Sequence, residues 1–288
     1  MSDARLAHLF DLEPLEAGLY RGDSWDLGFR ALYGGQVLGQ SVMAAYKTVP
    51  EDRVIHSFHS YFLLPGDASK PVVYDVEDVR DGRSFSTRRV KAIQNGRNIF
   101  YMTASFQLPE TGLTHQYAQM PEAPDAEDVT QDIQYYDDNI DKLSQRMKQA
   151  LSYHRPVDIR TVGGAHSFRA VKREPKRTLW LRGRDKLDDS LAVNQASLAY
   201  ASDYHFLSTA LQAHGLAAQD KSLRMATIDH AMWFHKAFRF DDWLLYEMES
   251  PFSGNARALV QGKIFNKQGE LVATSVQEGL MRQISEAD

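Results

Sequence analysis

The sequence predicts an α+β fold in which one unit, a helix followed by antiparallel strands, is built twice. Two observations carry that expectation. Two stretches with helical spacing each precede a series of strand-like segments broken at turn glycines. The second series also repeats the first at a nearly constant offset.

The chain has 288 residues, 43% hydrophobic and 25% charged, which suits one large domain or two of moderate size. A net charge of -5 argues against a nucleic-acid partner. Lys and Arg do cluster locally, at 88–91 and 172–184. With no cysteine, disulfides, thiolate metal sites and cysteine nucleophiles are all excluded. The first dozen residues interrupt their apolar positions with charge and carry no signal-peptide core, and the last three, Glu-Ala-Asp, are no peroxisomal tail. No apolar run approaches the ~20 residues of a membrane helix. The expectation is a cytoplasmic protein with no membrane association, no metal and no cofactor.

In chain order, Gly18 to Asp23 reads as a brief strand, and Tyr33-Gly34-Gly35-Gln36 opens a helix to about Tyr46. The two glycines either let a ligand approach the amides of the helix N-terminus or form a plain loop-to-helix turn. Strands follow at Val54–Leu64, Val72–Val79, Ser84–Ile93 and Asn98–Leu108, with hairpin signals at Asp81-Gly82 and Asn95-Gly96. Residues 111–176 read as a connecting segment, acidic and exposed from Glu122 to Asp141. Ile140, Leu143, Met147 and Leu151 mark one short amphipathic helix in it, and loop residues resume at Arg155. Thr178–Arg184 is a strand and Asn194–Ala213 a long helix. Leu223–Phe238, Trp243–Met248, Gly254–Phe265 and Leu271–Met281 are strands. The division is a repeat over 1–110, the connection, and a second repeat over 177–288.

Moved by 172 positions, Phe62 falls on Phe234, Tyr74 on Tyr246, Gly82 on Gly254 and Lys91 on Lys263. At 173, Gly96 falls on Gly269, and at 159 Gln36 of the first helix falls on Gln195 of the second. A helix wrapped by an antiparallel sheet, duplicated in one chain, suggests a double hot-dog with its two sheets joined edge to edge, which hides an edge strand of each.

Five motifs stand in the order seen in type II acyl-CoA thioesterases, and the chain resembles that family over nearly its whole length outside the connection. They are Gly34-Gly35-Gln36-Val37-Leu38-Gly39-Gln40, His56-Ser57-Phe58-His59-Ser60-Tyr61-Phe62, Tyr200-Ala201-Ser202-Asp203, Ala226-Thr227-Ile228-Asp229-His230 and Val276-Gln277-Glu278-Gly279. The resemblance implies hydrolysis of acyl-CoA to fatty acid and CoA, with Asp203, Thr227 and Gln277 as the catalytic trio.

The residues bear on this separately. Asp203 shares a stripe with Ala196, Ala199, Phe206 and Ala210, where a carboxylate needs a partner. Gln277 lies among the small residues Ala273, Ser275 and Gly279, which leave room beside its amide. Thr227 alternates with Met225, Asp229, Ala231 and Trp233, a set that identifies no face, so by itself it reads as an ordinary β-branched strand residue. In the other copy the three positions hold Ala44, Ala104 and Ile55, which suits chemistry in one copy only.

The expected mechanism is attack by water, with Asp203 as general base, Thr227 and Gln277 holding the water, and amides at a helix N-terminus facing the oxyanion. No Gly-x-Ser-x-Gly elbow supports a covalent route. His56 is a secondary candidate from the family motif and otherwise a hydrogen-bonded core histidine. Phe58, Phe62, Trp233 and Phe234 are candidates for an acyl tunnel or for plain core. Gly34, Gly35, Arg88, Arg89 and Lys91 are candidates for substrate contact, the last three toward the CoA phosphates. Two other readings are a non-catalytic acyl-CoA or lipid-binding hot-dog protein and a hot-dog acyl-thioester hydratase. A homo-oligomer, dimer or tetramer, is expected.

Overall fold

The computed structural model describes residues 5–143, 145, 148, 156–164, 170–218, 220 and 222–284. After a short helix α1 (Leu6–Leu9), the first copy comprises β1 (Glu13–Glu16), β2 (Leu19–Gly22), α2 (Gly34–Tyr46), β3 (Val54–Phe62), β4 (Val72–Asp81), β5 (Phe85–Gln94) and β6 (Arg97–Gln107). The connection contributes α3 (Asp132–Asp138) and β7 (Val157–Thr161). The second copy comprises β8 (Lys176–Gly183), α4 (Leu191–Ala201), a 3-10 helix (Leu207–His214), β9 (Leu223–Thr227), β10 (Asp229–Phe234), β11 (Leu244–Gly254), β12 (Arg257–Asn266) and β13 (Leu271–Gln283).

Among the described residues these strands form one sheet in the order β1-β2-β4-β5-β6-β3-β10-β13-β12-β11-β8-β7, with β9 beside β13. The two halves of that order mirror each other about the β3–β10 seam. The pairing there is symmetric too: Tyr61 faces Asp229, Ser57 faces Trp233, and His59 faces Ala231. Moving each partner by 172 positions turns the first pair into the second, so a pseudo-two-fold axis passes at His59 and Ala231. The double hot-dog read from the repeat is the architecture of the chain. Helix α2 packs on β4, β5, β6 and α4, while α4 packs on β3, and the 3-10 helix packs on β8, β11, β12 and β13.

Three expectations need correction. The helix over Asn194–Ala213 is interrupted: α4 ends at Ala201, and His205 adopts φ 59°, in the left-handed region. Asp203 therefore sits in a turn between two helical pieces. The strand over Leu223–Phe238 is also interrupted. Its pairing to β13 slips by one residue between Thr227, opposite Gly279, and Ala231, opposite Val276, and the strand ends at Phe234. That slip is a β-bulge, and the Asp229 carboxylate accepts the Glu278 amide there at 2.7 Å. The first copy has the same bulge at the matching place, between Ile55 and Ser57.

Finally, the acidic connection is exposed at most of its positions from Glu122 to Asp141, as expected, but it is docked on the second copy and its helix and loop fall elsewhere than expected. Ala126 is buried with Trp180, Trp243 and Leu245 on the outer side of the second copy, and the Trp180 indole donates to Pro124 O at 2.9 Å. The guanidiniums of Arg160 and Arg182 lie 4.7 and 4.2 Å from the Trp243 ring centre. Its short helix forms at Asp132–Asp138, with 3-10 turns at Ala126–Asp128 and Ile140–Lys142. Met147 and Leu151 of the expected helix lie outside the described residues, and strand β7 takes the place of the loop expected after Arg155.

Candidate active site

The bulge decides which way Thr227 points. With unbroken alternation it would share the outer face of Asp229, Ala231 and Trp233. A one-residue slip exchanges the faces of a strand, and so Thr227 faces inward beside Gln277. The Gln277 amide donates to Thr227 Oγ1 at 3.0 Å.

The turn after α4 carries Asp203 to the same point. Its Oδ2 accepts the Gly35 amide, from the first turn of α2, at 3.1 Å. The carboxylate also takes hydrogen bonds from Gln277 and Thr227. A carboxylate of the second copy is thus held by a helix N-terminus of the first, where the helix dipole favours negative charge. The two glycines make this approach possible: a Cβ on Gly34 would lie 2.8 Å from Asp203 Oδ2, and one on Gly35 2.1 Å from Tyr200 O. Their role at the mouth of α2 is to admit the other copy.

Apolar and aromatic neighbours dominate the electrostatics. Burial pushes the Asp203 carboxyl up to about 6, against the smaller opposing effect of its three hydrogen bonds. His230, which the sequence did not single out for the site, lies fully buried behind Gln277. Burial lowers its imidazole to about 4, so it is neutral at pH 7. Its Nδ1 lies 2.7 Å from Gln277 Oε1, a carbonyl oxygen that can only accept, so Nδ1 carries the proton. Its Nε2 then accepts from Ser202 Oγ at 3.0 Å, a hydroxyl whose one proton is shared with Ala199 O at 2.9 Å. The hydrogen bonds run in one direction, from Ser202 through His230 and Gln277 to Thr227 and Asp203. The only sequence signal for His230 was its place in a motif next to Asp229.

Asp203, Thr227 and Gln277 open into a cavity of about 1350 Å³. Phe62 lines it, whereas Phe58 and Phe234 belong to the core and Trp233 packs against His59 on the outer face. The connection supplies one wall through Ile133 and Tyr136 of α3, Leu143, Pro156, and Val157 to Ile159 of β7. Asp132 fastens that wall, accepting the Thr161 amide and hydroxyl at 2.7 and 2.6 Å and lying 3.4 Å from His205 Nε2.

Other candidates lie elsewhere. His56 bonds Ser105 Oγ at 2.8 Å and does not line the cavity. Arg88 is buried, 1% exposed, with Asp78 and Asp81 at 2.8 and 2.9 Å, so it is tied into the first copy rather than turned to a ligand. Arg89 pairs with Glu77 and Lys91 with Asp75 along β4 and β5, and none of these three lines the cavity. In the first copy, the places of Asp203, Thr227 and Gln277 are held by the buried Ala44, Ile55 and Ala104. There the Tyr46 hydroxyl accepts the Ile55 amide at 3.0 Å and bonds Gln195, closing the counterpart position.

A half-buried carboxylate beside a hydroxyl and a carboxamide, on the wall of a large cavity in a duplicated hot-dog, has the groups with which a hydrolase can activate water. Comparison with known proteins narrows the class. A family model described as acyl-CoA thioesterase matches residues 145–280, and one described as acyl-CoA thioesterase N-terminal domain matches 22–107. Acyl-CoA thioesterase 2 of Haemophilus influenzae is 40% identical over 98% of this chain and 99% of its own. Acyl-coenzyme A thioesterase 8 of Mus musculus is 40% identical over 97% of this chain and 90% of its own. The crystal structure of the acyl-CoA thioesterase II TesB2 from Mycobacterium marinum superposes with a TM-score of 0.79 at 40% identity, covering 97% of this chain and 99% of that one. A hot dog fold protein from Alicyclobacillus acidocaldarius, 19% identical with a TM-score of 0.77, shares the fold over 97% of this chain. The chain belongs to the acyl-CoA thioesterase family.

Proposed function

We propose that the protein hydrolyses fatty acyl-CoA to fatty acid and CoA by direct attack of water, with Asp203 as general base. One observation supports this above the others: a carboxylate held near pKa 6 by burial meets a hydroxyl and an amide donor at a cavity wall. Water bound by Asp203 gives it a proton while its oxygen attacks the thioester carbonyl. Thr227 and Gln277 fix the water's approach. Collapse of the tetrahedral intermediate breaks the C–S bond, and the departing thiolate takes the proton back from Asp203. The hydratase alternative needs an acid paired with a histidine facing the substrate. His230 is instead turned away behind Gln277, and His205, which lines the cavity, pairs with Asp132, a carboxylate already engaged by both Thr161 donors, and not with Asp203. Release of thiol from an acyl-CoA panel, run beside a hydration assay, tests the reading. Tight binding without turnover would reassign the protein to ligand binding.

The pH profile follows from the base. Asp203 must be ionised to accept a proton, so kcat/KM should be flat above its apparent pKa of about 6. Below that it should fall about tenfold per pH unit. A rate unchanged between pH 7 and 4.5 would remove Asp203 from the role.

His230 is a positioning residue. Replacement by Ala frees the Gln277 amide to rotate, and kcat should fall roughly tenfold, the worth of one aligned hydrogen bond. The acid limb should also move to higher pH, because the Gln277 hydrogen bond holds the Asp203 pKa down. A lower kcat with an unmoved limb would mean that His230 serves only the fold.

No described helix is long and apolar enough to cross a membrane. We place the protein in the cytoplasm as a homo-oligomer, dimer or tetramer. The oligomer is supported by Tyr61, 57% exposed, on the same outer face of the central strands as His59 and Trp233, whose rings pack on each other. Light scattering at micromolar concentration tests it, and a monomer would overturn it.

A further inference from the structure

Three arginines line the cavity that holds Asp203. Arg30 lies in the loop before α2, Arg184 is one residue past the end of β8, and Arg224 is in β9. All three are exposed, and no acceptor engages their guanidinium groups among the described residues. The contrast is with exposed cations such as Arg21, Lys236 and Arg257, which pair with Glu13, Glu270 and Glu278.

The acids of the same cavity wall are already engaged. Asp132 accepts both Thr161 donors, and Asp158 faces Arg160 and Arg182 at 3.6 and 3.8 Å. Asp203 is held by Gly35, Thr227 and Gln277. The cavity therefore offers three guanidinium groups with no acceptor of their own among the described residues, beside carboxylates that already hold partners. Guanidinium groups are the side chains best matched to phosphate oxygens, which they bind in pairs of parallel hydrogen bonds.

Their placement suits the far end of a long substrate. Arg224 precedes Thr227 by three residues, about 10 Å along the strand at 3.3 Å per residue. It also leaves β9 from the exposed side, opposite to the one that presents Thr227. The cavity, about 1350 Å³, is larger than the roughly 300–1,000 Å³ that houses a drug-sized ligand.

We infer that Arg30, Arg184 and Arg224 hold the phosphate groups of the CoA moiety at the cavity rim, and so set the preference for CoA esters over thioesters of the bare pantetheine arm. The inference rests on the reading of this cavity as an acyl-CoA site. It replaces Arg88, Arg89 and Lys91, which the structure ties to acids elsewhere.

The test compares lauroyl-CoA with lauroyl-pantetheine, which has the same reacting bond and no phosphate. Wild type and the triple variant Arg30→Gln, Arg184→Gln, Arg224→Gln are assayed on both. The ratio of kcat/KM for the CoA ester over the pantetheine ester should fall by roughly tenfold or more in the variant, through KM, as expected for lost charge-assisted hydrogen bonds. An unchanged ratio overturns the inference, as does an equal loss on both esters. Wild type turning over neither ester would instead overturn the reading of the site. Inhibition of wild type gives a second measurement: CoA should inhibit at least tenfold more strongly than pantetheine, and equal inhibition counts against the arginines.

Discussion

Asp203→Asn should lower kcat by about 10²–10⁴-fold, the usual contribution of a positioned general base, without lowering the melting temperature at pH 7. The second half of that expectation follows from the direction of the pKa shift. The native carboxyl is raised to about 6, against about 3.9 in an unfolded chain. The folded state thus holds the proton more tightly, and the associated stability is fully present below pH 4 and lost as pH rises through 6. At pH 7 the half-buried carboxylate lowers stability by about 2–3 kcal/mol. Asparagine keeps the shape and removes the charge, so the variant should melt at or above wild type at pH 7. Wild type should close that gap as the pH is lowered toward 4. A variant that keeps most of the activity would sink the base assignment. One that melts well below wild type would mean that the carboxylate supports the fold.

Gly35→Ala is expected to damage fold and catalysis together. The added Cβ would come within 2.1 Å of Tyr200 O and 2.6 Å of the Tyr33 ring, and the first of these contacts is backbone. The two helices must separate there, at about 1–3 kcal/mol or more. Separation also draws the Gly35 amide away from Asp203, so kcat should fall at least as far as loss of one hydrogen bond to a charged group implies, roughly tenfold or more. Gly96→Ala is the control. Gly96 has φ 70° with open space around it, so alanine should cost only about 1 kcal/mol of backbone strain and leave kcat unchanged. Thermal melts and kcat for both variants decide the matter. A Gly35→Ala enzyme of normal activity would show that the amide of α2 does not position the base.

The duplication, most strand boundaries and the helix of the first copy were legible in the sequence, because alternation, turn glycines and repeat offsets are local signals. The trio was legible only through the family motifs. Thr227 shows why: its inward aim depends on a one-residue slip at Ile228–Asp229, and nothing in the alternation of Met225 to Trp233 announces a slip. The break after Ala201 was hidden for a related reason. Ala196, Ala199, Phe206 and Ala210 are all buried, as a continuous stripe predicts, although the helix that implied the stripe stops between them. The exposure of the acidic connection was legible in its composition, but its docking was not, since it depends on arginines distant in sequence: Glu127 pairs with Arg160, and Asp158 faces Arg182. The rim arginines could not be found from charge runs, because they come from three separate elements.

The seam at His59 and Ala231 has a consequence for how such a site can vary. Two identical units meeting there would offer two equivalent openings, each needing a glycine-mouthed helix from its neighbour and an acid of its own. Joined in one chain, the units are free to diverge. The opening under Ile55 is filled by Tyr46 and Gln195 and works as a buttress, while the other keeps a charged group that weakens the fold. Mutations on the sealed side should therefore register in melting temperature, and those on the open side in turnover. Neither unit expressed alone would contain both the amide and the carboxylate that meet at Gly35.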